Sequence, residues 1–103
     1  MDLFIKNALI FDGLGNAPFK ANIGIKKDKI VYIGKEKIRA KTNINANELV
    51  LTPGFIDTHS HSDFTILADP NAEGKITQGI TTEINGNCGI SGFPMLGEAF
   101  ERR

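Results

Sequence analysis

Apolar residues run from Leu3 to Phe11 with few polar breaks, and the run ends in Asp12-Gly13-Leu14-Gly15-Asn16-Ala17-Pro18, a cluster of turn formers. A strand and then a loop are predicted. From Phe19 to Ile25 the pattern alternates, with Phe19, Ala21, Ile23 and Ile25 on one face and Lys20, Asn22 and Gly24 on the other, as in a half-buried strand. Lys26-Lys27-Asp28-Lys29 then turns the chain into β-rich Ile30-Val31-Tyr32-Ile33-Gly34, so strands two and three are expected to pair as a hairpin within a β-meander. Residues 35 to 48 are polar and admit either one more short strand or a plain connection. Leu49 to Thr52 is extended and enters Pro53-Gly54, after which Phe55-Ile56-Asp57-Thr58-His59 reads as a buried strand.

Beyond this point the pattern changes to alternating β and α. Asp69 suits an N-cap, Pro70 the first helical position, Glu73 the first turn and Gly79 the stop, which predicts a helix from about Pro70 to Gln78. Ile80-Thr81-Thr82-Glu83-Ile84 is a β-branched strand leading to the turn Gly86 to Gly89, with Cys88 at its tip, and Met95 to Arg103 begins another helix-like stretch. Two parallel strands with one crossover helix cannot close a barrel or satisfy both of their edges. Residues 53 to 103 are therefore expected to be an unfinished α/β segment.

A composition of 41% hydrophobic and 23% charged residues is that of an ordinary soluble globular chain. No run is long enough to span a membrane, and no membrane partner is expected. Residues 1 to 50 carry nine Lys/Arg against five Asp/Glu, and residues 51 to 103 carry three against seven, which marks two differently built segments. Most lysines of the first half (Lys26, Lys27, Lys29, Lys35, Lys37, Lys41) are spread over turn-like segments without interleaved aromatics, so a solvated face is expected rather than a nucleic-acid partner. A single cysteine excludes an internal disulfide, and the absence of a signal-like start makes a cytoplasmic location the expectation.

Candidate chemistry sits at the end of the Phe55 strand. On a strand, residues i and i+2 share a face, so His59 and His61 would present two imidazoles side by side with Asp57 in line behind them. A bare His-x-His pair is equally compatible with a structural role. Its position at the end of an apolar strand, where α/β barrels carry their active sites, favours metal binding, and the thiol of Cys88 would be a chemically coherent third ligand for zinc. The glycines on both sides of Cys88 argue against a simple packing role, which rarely needs such backbone freedom. No further histidine or cysteine is present. Asp57 is compatible with approaching the metal or orienting an imidazole and equally with anchoring the strand by hydrogen bonding to backbone, and Asp63 either with holding the following loop or with supporting the site from behind. Asn85 and Asn87 fit turn stabilisation better than polarising a substrate carbonyl or orienting a metal-bound water, and Glu83 fits a strand-surface charge better than a ligand. Gly13 and Gly15 precede no clear helix and suit a turn rather than a nucleotide site.

Pro53-Gly54-Phe55-Ile56-Asp57-Thr58-His59-Ser60-His61-Ser62-Asp63, then Gln78-Gly79-Ile80-Thr81-Thr82 and Gly86-Asn87-Cys88-Gly89-Ile90-Ser91, resemble the start of an amidohydrolase-superfamily enzyme, within it the N-acyl-D-amino-acid deacylase (D-aminoacylase) branch. The His-x-His segment is shared across the superfamily; Gly-Asn-Cys-Gly is the sharper mark of the branch. The resemblance implies that His59, His61 and Cys88 ligate one or two zinc ions, with the cysteine in the role that a carboxylated lysine plays in relatives. It implies a (β/α)8 barrel carrying a small composite β-sandwich, so that residues 1–52 are part of the sandwich and residues 53–103 the first two β/α units of the barrel. It further implies that the chain is an N-terminal fragment, inactive alone, whose catalytic aspartate and remaining histidine ligands lie downstream. The expected partners are a small-molecule N-acyl amino acid and the rest of the same enzyme. A dihydroorotase- or hydantoinase-type cyclic amidase is the nearest alternative, although the only lysine nearby, Lys75, falls in the predicted helix. A small non-catalytic β-rich protein binding a metal or a partner is the alternative of a different class.

Overall fold

The computed structural model describes residues 1–92 and Gly97, so the helix expected from Met95 lies outside the described residues. The chain divides into two compact units, Met1–Pro53 and Gly54–Arg103. The first unit is a five-stranded sheet of β1 (Leu3–Ile10), β2 (Phe19–Lys26), β3 (Lys29–Gly34), β4 (Thr42–Asn45) and β5 (Val50–Leu51). The hairpin of β2 and β3 forms as expected, and the stretch left open by the sequence supplies β4. The sheet is not a meander, however. β1 pairs antiparallel with β2 on one side and parallel with both β4 and β5 on the other. Its sequence explains this central place, because it is apolar on both faces, with Phe4 buried on one and Ala8 and Ile10 on the other.

The parity of β1 depends on an extra residue. Ile5 pairs with Ile23 and Ala8 with Ala21, so Lys6 and Asn7 together face the single residue Asn22. Asn7 takes a left-handed φ of 61° at this bulge. The bulge brings Ile5, Ala8 and Ile10 to the same side, where Ala8, Ile10, Ala21, Ile23 and Ala46 form the core with Ile5, Ile25 and Leu51 packed against them. Asn22 and Gly24, expected on a polar face, are buried. Asn22 is there for hydrogen bonding: its Oδ1 accepts the Asn7 N–H at 2.9 Å, and its Nδ2 donates to the carbonyls of Lys35 at 3.2 Å and Glu36 at 3.1 Å. Asn22→Ala would orphan the bulge N–H and two carbonyls, and is expected to cost about 2 kcal/mol. Urea unfolding checks this; an unchanged midpoint would mean that water replaces Asn22 without penalty.

The same face continues beyond the core into an open apolar groove of about 420 Å³, lined among others by Phe11, Phe19, Ile30, Ile33 and Leu51. Ile30 and Ile33 remain more than half exposed.

The second unit contains β6 (Phe55–Asp57), the single-turn helix α1 (Glu73–Ile76) and β7 (Ile80–Glu83), with β6 and β7 parallel and α1 in the crossover. The helix is shorter than the expected Pro70 to Gln78. Ala72 is left-handed (φ 48°, ψ 45°) and separates α1 from the turns before it, so Asp69 cannot cap the helix. Gly79, with φ +81°, ends the segment as expected. β6 is expected from sequence to be buried, but Phe55 is 56% and Ile56 61% exposed, because a two-stranded sheet has little to cover its apolar faces among the described residues. Among the described residues no helix is long and apolar enough to cross a membrane.

Candidate metal centre

β6 ends at Asp57, so His59 and His61 are not same-face neighbours on a strand, contrary to expectation. His59 lies in a bend, and His61 (φ −123°, ψ 22°) precedes a short 3-10 turn at Ser62–Phe64. The segment nevertheless stays beside the extension of β7. Ile84 N–H donates to Asp57 O at 2.8 Å and Ser60 N–H to Ile84 O at 3.1 Å. Asn87 reinforces the junction, its Nδ2 donating to Ile84 O at 2.8 Å and Ser60 O at 3.4 Å. This is the turn-stabilising role expected of it.

Cys88 is itself left-handed (φ 60°, ψ 23°), between Gly86 at φ 81° and Gly89 at φ 67°. Such a turn excludes most side chains from the flanking positions, which explains the two glycines. It brings Sγ to 3.4 Å from His59 Nε2, while the rings of His59 and His61 meet edge to face with centroids 5.4 Å apart. The ligand atoms of His59, His61 and Cys88 all lie within 4.8 Å of one another, and all three residues are exposed. A tetrahedral zinc ion with bonds of about 2.0–2.3 Å separates its ligand atoms by about 3.3–3.8 Å. The Cys88–His59 edge already has that length, and two imidazoles with one thiol are a donor set that zinc accepts.

The carboxylates around the cluster are engaged elsewhere. Asp57 is not among the clustered ligand residues: its Oδ1 accepts the backbone N–H of His59 at 3.1 Å and its Oδ2 pairs with Lys75 Nζ at 2.5 Å. The Lys75 hydrogen bond, helped by the His59 N–H, holds the Asp57 carboxyl below its ordinary pKa, and Asp57 in turn raises that of Lys75. Glu83 lies outside the cluster of His59, His61 and Cys88, and it is not a free surface charge. Its Oε1 accepts the Ser62 hydroxyl at 3.1 Å and lies 3.7 Å from Lys75 Nζ. Asp63 Oδ2 accepts the N–H of Gly92 at 2.5 Å, joining the segment after His61 to the segment after Cys88. Sequence reasoning missed the Lys75 network. One signal was available: Lys75 is the only Lys or Arg between Lys41 and Arg102.

The profile of the Amidohydrolase family matches residues 42–101, and the chain belongs to that family. Within it, the chain is similar to the N-acyl-D-glutamate deacylase of Alcaligenes xylosoxydans xylosoxydans, 41% identical over 95 residues that make up 91% of this chain and 20% of that protein. Two solved structures point the same way. The N-acyl-D-glutamate deacylase of Bordetella bronchiseptica, complexed with zinc and a phosphonate mimic of the tetrahedral intermediate, matches 87% of this chain and 19% of its own at 36% identity and TM-score 0.81. A D-aminoacylase described with a binuclear metal centre matches 91% of this chain and 20% of its own at 35% identity and TM-score 0.84. The D-hydantoinase of Thermus sp. is a weaker match, at 28% identity and TM-score 0.66. The chain spans about a fifth of the length of these deacylases.

Proposed function

We propose that these 103 residues supply the first sandwich strands and the first two barrel strands of a zinc-dependent deacylase that hydrolyses the amide bond of N-acyl-D-amino acids. The observation that carries the reading is the convergence of His59, His61 and Cys88. Residues 1–52 would be the N-terminal part of a composite β-sandwich, and the apolar groove beside Ile30 and Ile33 is the kind of face that a second layer of such a sandwich would cover. Residues 53–103 would begin the (β/α)8 barrel, whose parallel strands and crossover helix have the form of β6, α1 and β7.

When bound, zinc supplies Lewis-acid chemistry, polarising the scissile carbonyl and making water a stronger acid. The chain's own part is to hold the ion. His59 and His61 offer neutral imidazole nitrogens and Cys88 a thiolate, on a surface open to a small substrate. Asp57 and Glu83 are occupied by Lys75 and the loop backbone or hydroxyls, so neither is placed to take a proton from water at this centre. The proton-transferring aspartate belongs to the part of the enzyme beyond these residues, and the chain alone is expected to be inactive.

Hydrolysis assays test the reading on a polypeptide that carries this chain and extends through the length of its relatives. Release of the acyl group from N-acetyl-D-amino acids, with the L-isomers turned over at least about a hundredfold more slowly, is the expected result; a two-order preference corresponds to about 2.7 kcal/mol of differential transition-state binding. Ring opening of hydantoins or dihydroorotate with no deacylation would sink it in favour of a cyclic amidase.

A further inference from the structure

Lys75 has no place in the site chemistry described above, yet its surroundings are unusual. It is the only cation in a stretch of some sixty residues, and it lies on α1 with only 32% of its side chain exposed. It faces two carboxylates, Asp57 and Glu83, that are themselves 22% and 19% exposed. Each carboxylate passes the contact on to one metal-ligand segment. From Asp57 the path runs through Oδ1 to the backbone N–H of His59. From Glu83 it runs to the hydroxyl of Ser62, which lies 2.9 Å from the hydroxyl of Ser60, and Ser60 Oγ also accepts the Ser62 N–H at 3.3 Å. Ser60 and Ser62 are the residues on either side of His61.

We infer that Lys75 is a positioning residue of the metal centre: its ammonium, held between Asp57 and Glu83, fixes the backbone at His59 and the flanks of His61 so that both imidazoles meet Cys88. This inference rests on the proposed zinc site. The physical argument is one of charge. With the ammonium in place, the two half-buried carboxylates are each paired and keep their orientation toward the loop. Without it they repel one another across a partly dehydrated space, and rotation of Asp57 toward solvent releases the His59 N–H. Contacts of this kind, one step behind the ligands, typically tune metal affinity about 10- to 100-fold. The bend at His59 and the turn at His61 lack the rigidity of a strand, so the centre depends on such ties.

Zinc affinity of the extended polypeptide used for the hydrolysis assays, measured by competition with a chromophoric chelator, and the absorption spectrum of its cobalt(II) form test the inference. The parent polypeptide and its Cys88→Ala variant come first: if the parent takes up no zinc, or the variant binds it equally well, the zinc site itself fails and the inference falls with it. Given binding through Cys88, K75M is expected to weaken zinc about 10- to 100-fold and to shift the cobalt ligand-field bands, and K75R to restore affinity to within about threefold. A role confined to holding α1 against β7 would lower the melting temperature and leave the cobalt spectrum unchanged. A K75M chain with the parent's zinc affinity and spectrum, or a loss that K75R does not reverse, overturns the inference while leaving the zinc site standing. Should K75M fail to fold, E83Q removes the second carboxylate charge yet keeps an acceptor for Ser62. A loss of about threefold or more supports the inference, and unchanged affinity overturns it.

Discussion

Cys88→Ala is expected to lower the zinc affinity of the polypeptide that carries this chain through the length of its relatives by about two to three orders of magnitude. Structural zinc sites bind with about 10–16 kcal/mol shared among about four ligands, so one thiolate accounts for about 3–4 kcal/mol, at 1.4 kcal/mol per tenfold. The variant should be clean. Cys88 is exposed, so no core packing is lost, and its turn is held by Asn87 and the neighbouring glycines rather than by the thiol. Alanine must still adopt the φ of 60° that cysteine adopts, which adds no strain that the parent lacks. Chelator competition on both forms reads the difference directly. Affinities within tenfold of each other would mean that the 3.4 Å approach of Sγ to His59 is incidental, and the deacylase reading would lose its distinguishing ligand.

The candidate ligands were legible because their chemistry is rare in this chain, which has two histidines and one cysteine. The way they meet was not. A period of two places His59 and His61 on one face only if the strand continues, and β6 stops at Asp57. What brings the imidazoles near the thiol is the backbone pairing of Asp57 and Ser60 with Ile84, together with the left-handed turn at Cys88. The glycines at 86 and 89 did announce that turn. In the sheet, the alternation in β2 and the polar turn at Lys27-Asp28 were enough to read the hairpin. The bulge in β1 was hidden, because Lys6-Asn7 looks like any polar break in a strand and only pairing with β2 shows two residues facing one. Buried Asn22 was hidden for the same reason: its partners are the bulge and two carbonyls from beyond β3, both distant in sequence. Lys75 illustrates a further limit. A lysine in a helical segment reads as solvent-facing until the crossover folds it over Asp57 and Glu83, residues 18 positions before and eight after it.

Gly54→Val is expected to destabilise the β6–β7 pair by about 3 kcal/mol. Unlike the glycines around Cys88, Gly54 needs no special backbone conformation; it needs space. A Cβ at this position would lie 2.1 Å from Thr81 Oγ1, 2.3 Å from Cγ2 and 2.7 Å from Cβ, far inside van der Waals contact. Rotating the threonine cannot relieve the last of these, because Cβ is fixed to the backbone of β7. The two strands must separate or slip. A slip matters to the candidate metal centre, since Asp57, at the end of β6, lies three residues after Gly54, Glu83 follows Thr81 by two on β7, and both engage Lys75. The double variant Gly54→Val/Thr81→Gly separates this steric account from a general intolerance at residue 54. Removing the threonine side chain clears all three atoms, so the double variant should recover most of the stability lost by Gly54→Val, with a coupling of about 2 kcal/mol. Thr81→Ala leaves Cβ in place and should recover only part. Additive losses in the urea unfolding of these variants would show that the valine is rejected for some reason other than Thr81.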